Sequence, residues 1–234
     1  MNIFIGTNDI AGILSGLKQG FQAIGCNVTT LIKDTSPFYD EEYNYTVLRK
    51  FPNSAHLKNK HIRKIVEFAD YKAQNWRIKT KLPSIIEQHD VFVFIWQSLQ
   101  RDYADFKQIK AAGKKIVCIF VGSDSRHISA FQQEFGGNQQ TWEKGFHEDD
   151  INHKIFTIRN AELYADAIFS VPDQAGLAIR PYDHLYLPFN SSKIEFKISE
   201  NQPLKIIHAP SRTGIKGTAI IVATIEKLKA EGLA

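Results

Sequence analysis

Apolar and polar positions fall in blocks along this chain, and the blocks predict strands and helices in turn. Asn2-Ile3-Phe4-Ile5-Gly6 is a short apolar run closed by glycine, the pattern of a buried strand. Over residues 11–24 apolar side chains recur at 13, 14, 17, 21 and 24, which is helical spacing, and Gly25 stands where a C-terminal cap is expected. A second β-branched run at 28–32 completes a βαβ unit, whose crossover is expected to be right-handed.

Residues 34–56 are rich in Asp, Glu, Asn, Pro and Tyr and read as an irregular excursion. Over 58–79, Ile62, Ile65, Val66, Ala69, Ala73 and Trp76 share one helical face, and core packing is expected of it, Trp76 included. The other face carries Lys58, Lys60, Arg63, Lys64, Lys72, Arg77 and Lys79, and Pro83 is read as starting or kinking a following short helix. The runs 90–96 and 115–121 are apolar on both alternating faces, as central parallel strands are when helices cover both sides. Helices are predicted over 103–112, with Gly113 as the stop, and over 153–164. A long loop is predicted over 127–150, and strands at 167–171 and 185–187.

After a polar stretch the rhythm restarts with a strand at 204–209, a loop to 216 and a helix over 217–231. This pattern predicts an α/β protein: a Rossmann-like parallel sheet with helices on both faces over 1–188, a linker at 189–203, and one β-loop-α unit at 204–234. A single unit of that kind cannot bury both faces of a sheet, so a truncated second Rossmann-like domain is expected.

Composition narrows the class. With 234 residues, 43% hydrophobic and 23% charged, the chain suits a soluble globular protein. A net charge of +4 is too weak to demand nucleic acid and is compatible with an anionic small molecule or an acidic membrane surface. Cys26 and Cys118 are far apart and read as two buried reduced thiols. No secretory signal or membrane-length apolar run is visible, so a cytoplasmic location is expected.

Three strand ends carry candidate chemistry, because ligands of open parallel sheets bind outside the carboxyl ends of the strands. In Gly6-Thr7-Asn8-Asp9-Ile10-Ala11-Gly12, the glycines would let backbone approach a ligand at a helix N-terminus, and the alternative is a tight turn capped by Asp9. In Gly122-Ser123-Asp124-Ser125-Arg126, Asp124 and Arg126 are placed to hold a hydroxylated or anionic group, or to pair with each other. In Ser211-Arg212-Thr213-Gly214-Ile215-Lys216-Gly217, two cations and two glycines precede a helix, the combination a diphosphate needs. None of the three matches a dinucleotide fingerprint or a P-loop. His147, Glu148, Asp149, Asp150 and His153 are metal-capable, but the stretch reads as a solvated acidic segment, and no metal site is expected.

The run Lys205-Ile206-Ile207-His208-Ala209-Pro210-Ser211-Arg212-Thr213-Gly214-Ile215-Lys216-Gly217-Thr218 resembles the opening of the C-terminal domain in retaining GT-B glycosyltransferases of the family 4 type. Residues 1–33 resemble the first βαβ unit of that family's N-terminal domain, and Gly122-Ser123-Asp124 its strand-end motif near the acceptor. Where many members have a histidine before that glycine, this chain has Val121. The resemblance implies that Arg212 and Lys216 bind the diphosphate of a nucleotide sugar, without any cofactor or required metal. Gly6, Asp9, Gly12, Asp124 and Arg126 would then line the acceptor side, and the acceptor would be a glycan or lipid-linked glycan of surface polysaccharide or glycoconjugate synthesis. The family's paired glutamates lie in a second half not seen here, so activity is not expected of these 234 residues alone. The basic face of 58–79 would offer peripheral contact with the membrane inner face. Two alternatives stand beside this reading. One is a non-catalytic binding or regulatory module that retains only the N-terminal fold. The other is an ordinary nucleotide binder, which the missing dinucleotide fingerprint disfavours.

Overall fold

A computed structural model describes residues 1–34, 42–49, 57–127, 151–171, 176–189, 194–195, 206–210, 213 and 216–232. The chain forms two compact units, residues 1–126 with 152–191 and residues 127–151 with 192–234. In the first unit β1 (Asn2–Thr7), α1 (Ile13–Ala23), β2 (Asn27–Ile32) and β3 (Tyr45–Thr46) are followed by α2 (Lys60–Gln88) and β4 (Val91–Ile95). Next come α3 (Ala104–Ala111), β5 (Lys115–Phe120), α4 (Ile151–Tyr164), β6 (Ala167–Ser170) and β7 (Asp183–His184). The seven strands make one sheet in the order β3-β2-β1-β4-β5-β6-β7, and every neighbouring pair is parallel. The molecule is therefore Rossmann-like α/β.

The pleat divides the apolar runs between two cores. Phe4, Phe92, Phe94, Ile116, Cys118 and Phe120 point to one face, where Ile78, Leu82 and Ile85 of α2, Phe106 and Ile109 of α3, and Ile158 and Ala161 of α4 cover them. Ile3, Ile5, Val93, Ile95 and Ile119 point to the other, against Ile13 and Leu14 of α1 and Leu185. Fully burying each such aliphatic or Phe side chain contributes about 1.5–3 kcal/mol, and the central strands β1, β4 and β5 do so on both faces. Cys118 is buried, Cys26 half-buried, and both are free thiols.

Several expectations need correction. Pro83 neither starts nor visibly ends a helix. It sits inside the single 29-residue α2, which continues because the turn beyond the proline buries Ile85 and Ile86. The first half of α2 buries Asp70 and Gln74, whereas Ile62, Ile65, Ala69, Ala73 and Trp76 of the apolar face expected in the core lie in solvent and Val66 is half-buried. Gln74 takes the inward position because its Nε2 donates to the carbonyls of Val47 at 2.7 Å and Lys33 at 3.3 Å. That contact fixes the chain after β3, a two-residue strand inside the stretch read as irregular. The last strand forms at Asp183–His184 rather than 185–187, its edge closed by Leu185 N–H donating to Ser170 O at 3.0 Å. In the second unit, residues 206–209 are not a strand; among the described residues nothing pairs with them, and a lone strand has no ladder to complete. α5 (Thr218–Ala230) forms as predicted. Of the loop predicted over 127–150, residues 128–150 lie outside the described residues.

Candidate functional site

Strand order reverses between β1 and β4, because connections from β1 run outward to β2 on one side and from β4 to β5 on the other. At such a reversal the loops leaving the two strands diverge and open a crevice at their carboxyl ends. Here the crevice is bordered by residues 8–12 after β1 and 96–103 after β4. The hydroxyl of Thr7 donates to Gln97 O at 3.1 Å and ties the two strand ends together.

The loop after β4 turns sharply. Gln97 N–H donates to Ile95 O at 2.9 Å, so Trp96 is the middle residue of a three-residue turn and stands at φ 72°. A bulky residue held there costs on the order of 1–3 kcal/mol and persists only where its surroundings impose it. The turn leaves Trp96 41% exposed at the end of the central strand. Behind it a narrow recess, partly open to solvent, is bounded by Trp96, Gln97, Ser98, Tyr103, Phe120 and Thr157. It holds about 10 Å³, room for a single water-sized group and too little for a ligand ring.

What imposes the loop is a clamp on a single peptide group. The Lys33 ammonium, just past β2, donates to Ser98 O at 2.6 Å, and the next residue's N–H, Leu99, donates to Asp105 Oδ2 at 2.8 Å. The peptide 98–99 is thus gripped at its carbonyl by a cation and at its amide by a carboxylate. Both groups are buried, and Asp105 Oδ1 has no hydrogen-bond partner among the described residues. Burial lowers the Lys33 pKa to about 8, with the charges of Asp105 and Asp34 opposing the drop. Burial likewise raises Asp105 to about 6, against the Leu99 amide and the Lys33 charge. Perturbed ionisable groups at a sheet's carboxyl edge are functional-site candidates, and here they act on the loop that presents Trp96.

The residues singled out from sequence have definite places. Gly6 lies within β1, where a Cβ would come 3.1 Å from the Phe4 ring and 3.3 Å from Leu31 O, so its smallness serves sheet packing. Asp9 fills the N-terminus of α1 by itself: its Oδ1 accepts from Leu14 N at 3.1 Å, and its Oδ2 from the hydroxyls of Ser15 and of Tyr43, the latter at 3.1 Å. Gly12 precedes α1 at φ 72°, a conformation that favours glycine. Asp124 closes its own turn, accepting from Gly122 N at 2.7 Å and Val121 N at 3.0 Å, and burial pushes its carboxyl above the usual range. The Arg126 carbonyl accepts from Lys154 Nζ at 3.3 Å. The Asp9 and Asp124 loops share one edge of the sheet, two strand spacings or about 10 Å apart.

In the second unit Lys216 stands just before Gly217, at φ 66°, and the first turn of α5, where His208 Nε2 and Thr218 Oγ1 are hydrogen-bonded at 2.9 Å. Arg212 lies outside the described residues, as do His147, Glu148, Asp149 and Asp150. Among the described residues no cluster of His, Cys, Asp and Glu could hold a metal, and no helix is long and apolar enough to cross a membrane. Trp96, Lys33 and Asp105 escaped the sequence reading; the one signal available was a tryptophan followed by Gln97-Ser98 at the end of an otherwise apolar run. No protein-family model matches the chain, and no curated protein sequence matches it.

Proposed function

We propose that this chain carries the acceptor-side fold of a retaining GT-B glycosyltransferase and, in residues 204–234, the opening motif of its donor-side fold. The reaction is transfer of a sugar from a nucleotide sugar to a glycan or lipid-linked acceptor, in the cytoplasm. The observation that carries the reading is the crevice where strand order reverses between β1 and β4, with an exposed tryptophan at its rim. The indole of Trp96 offers a flat apolar surface to the C–H face of a sugar ring, and the polar loop beside it offers hydrogen-bonding groups to hydroxyls. On the donor side, Arg212 and Lys216 would neutralise the charge that builds on the departing diphosphate, aided by the amide end of α5. Such transfer depends chiefly on positioning and on leaving-group stabilisation.

Calorimetric titration of the chain with uridine and guanosine diphosphates and their sugars tests the donor half. Binding to one nucleotide family is expected, falling at least about tenfold in Arg212→Ala/Lys216→Ala, the loss that about 1.4 kcal/mol of charge-assisted contact produces. Nucleotide binding that the double substitution leaves unchanged would overturn the assignment of these cations, and silence with every nucleotide would overturn a donor site in this chain.

A further inference from the structure

The first half of α2 is amphipathic with its apolar side turned outward. At 100° per residue, Ile62, Ile65, Ala69, Ala73 and Trp76 fall within an arc of about 80°, roughly opposite the side that buries Asp70, Gln74, Ile78 and Leu82. Ile62 is 51% exposed, Ile65 67% and Trp76 67%, with Phe68 at 61% on the border of the arc. Between Ile62 and Trp76 the stripe runs about 21 Å at 1.5 Å per residue. Scattered exposed apolar side chains are ordinary, but a helical stripe of them is a contact surface.

Charge identifies what it contacts. Residues 58–81 hold eight Lys and Arg against two acids, Glu67 and Asp70, and Asp70 faces the core. Lys72 and Lys79 border the stripe on one side and Arg77 on the other, and Lys72 Nζ lies 5.2 Å over the Phe68 ring. A second copy of this chain meeting the stripe by two-fold symmetry would bring two strongly positive helices together. An anionic bilayer accepts both components: Ile65 and Trp76 enter the headgroup–acyl boundary, while the long cationic side chains reach back to lipid phosphates.

We infer that the first half of α2 is a docking helix that lies in the surface of a membrane rich in anionic lipid. This stands on the helix alone, independently of sugar transfer. The test is co-sedimentation of the whole chain with vesicles of phosphatidylcholine, and of phosphatidylcholine with about 30% phosphatidylglycerol, at low salt and at about 0.5 M. Partition onto the anionic vesicles is expected, falling at least about tenfold at high salt and in Lys72→Gln/Lys79→Gln. The same loss is expected of Ile65→Ser/Trp76→Ser, whose exposed positions leave thermal unfolding unchanged. Absence of partition, or partition that Ile65→Ser/Trp76→Ser leaves intact, overturns the inference. So does a wild-type dimer that this variant converts to monomer, which would make a second copy the occupant.

Discussion

Removing either side of the clamp on the 98–99 peptide should expose a coupling that can be sized from the structure. Lys33 Nζ is 2.6 Å from Ser98 O and Asp105 Oδ2 is 2.8 Å from Leu99 N. Adding roughly 2.3 Å across the peptide places the two charges no more than about 8 Å apart. At an effective dielectric of about 20 that separation gives an attraction of about 2 kcal/mol. The measurement is a double-mutant cycle of Lys33→Met, Asp105→Asn and the pair, by urea unfolding at pH 7 followed by circular dichroism. Each single change should destabilise, since each strands a buried charge, and the pair should cost about 2 kcal/mol less than their sum. A coupling below about 0.5 kcal/mol would refute the clamp, because independent sites add within that margin.

Two further outcomes follow from the same side chains and their neighbours. Asp105 titrates at about 6 when folded against 3.8 when unfolded, so between those values the fold holds a proton the unfolded chain has lost, and stability falls as pH rises from about 4 to 6. Lys33, at about 8 against 10.5, gives the opposite sign, with stability rising from about pH 8 to 10.5; denaturation across pH in Asp105→Asn should lose the lower arm and start the upper arm at lower pH, because the Asp105 charge holds the Lys33 pKa up. On α2, Leu82→Ala should cost about 2–5 kcal/mol because its side chain is buried in the sheet-facing core, whereas Trp76→Ala should stay within about 0.5 kcal/mol. Chemical denaturation of both distinguishes this arrangement from one with Trp76 inward.

The central strands were legible because burial on both faces leaves an unbroken apolar run, as at 91–95 and 115–120, and α1 because its spacing ends at Gly25, at φ 82°. Periodicity along α2 correctly marked an amphipathic helix but could not say which face is buried. That was decided by Gln74, whose amide satisfies two backbone carbonyls from elements 27 and 41 residues away. Two-residue strands such as β3 and β7 carry no period to detect. At the crevice, the polar strand ends drew attention to Asp9 and Asp124, yet the partners that occupy their oxygens come from turns that only folding closes. Lys33 and Asp105 are 72 residues apart in sequence and meet through a peptide belonging to neither, so no local motif announces them.

Asp9 has a bearing on what the crevice will admit. A helix beginning at a sheet's carboxyl edge ordinarily presents a positive pole to whatever lies there. In α1 that pole is already neutralised from within, by a carboxylate held by the Leu14 amide and the Ser15 and Tyr43 hydroxyls. A phosphate arriving at this end of the sheet meets a spent dipole and a resident negative charge, whereas an uncharged polyol meets neither obstacle. Selectivity at this strand end is thereby set against anions, and any phosphate the protein handles must find its counter-charge at other residues.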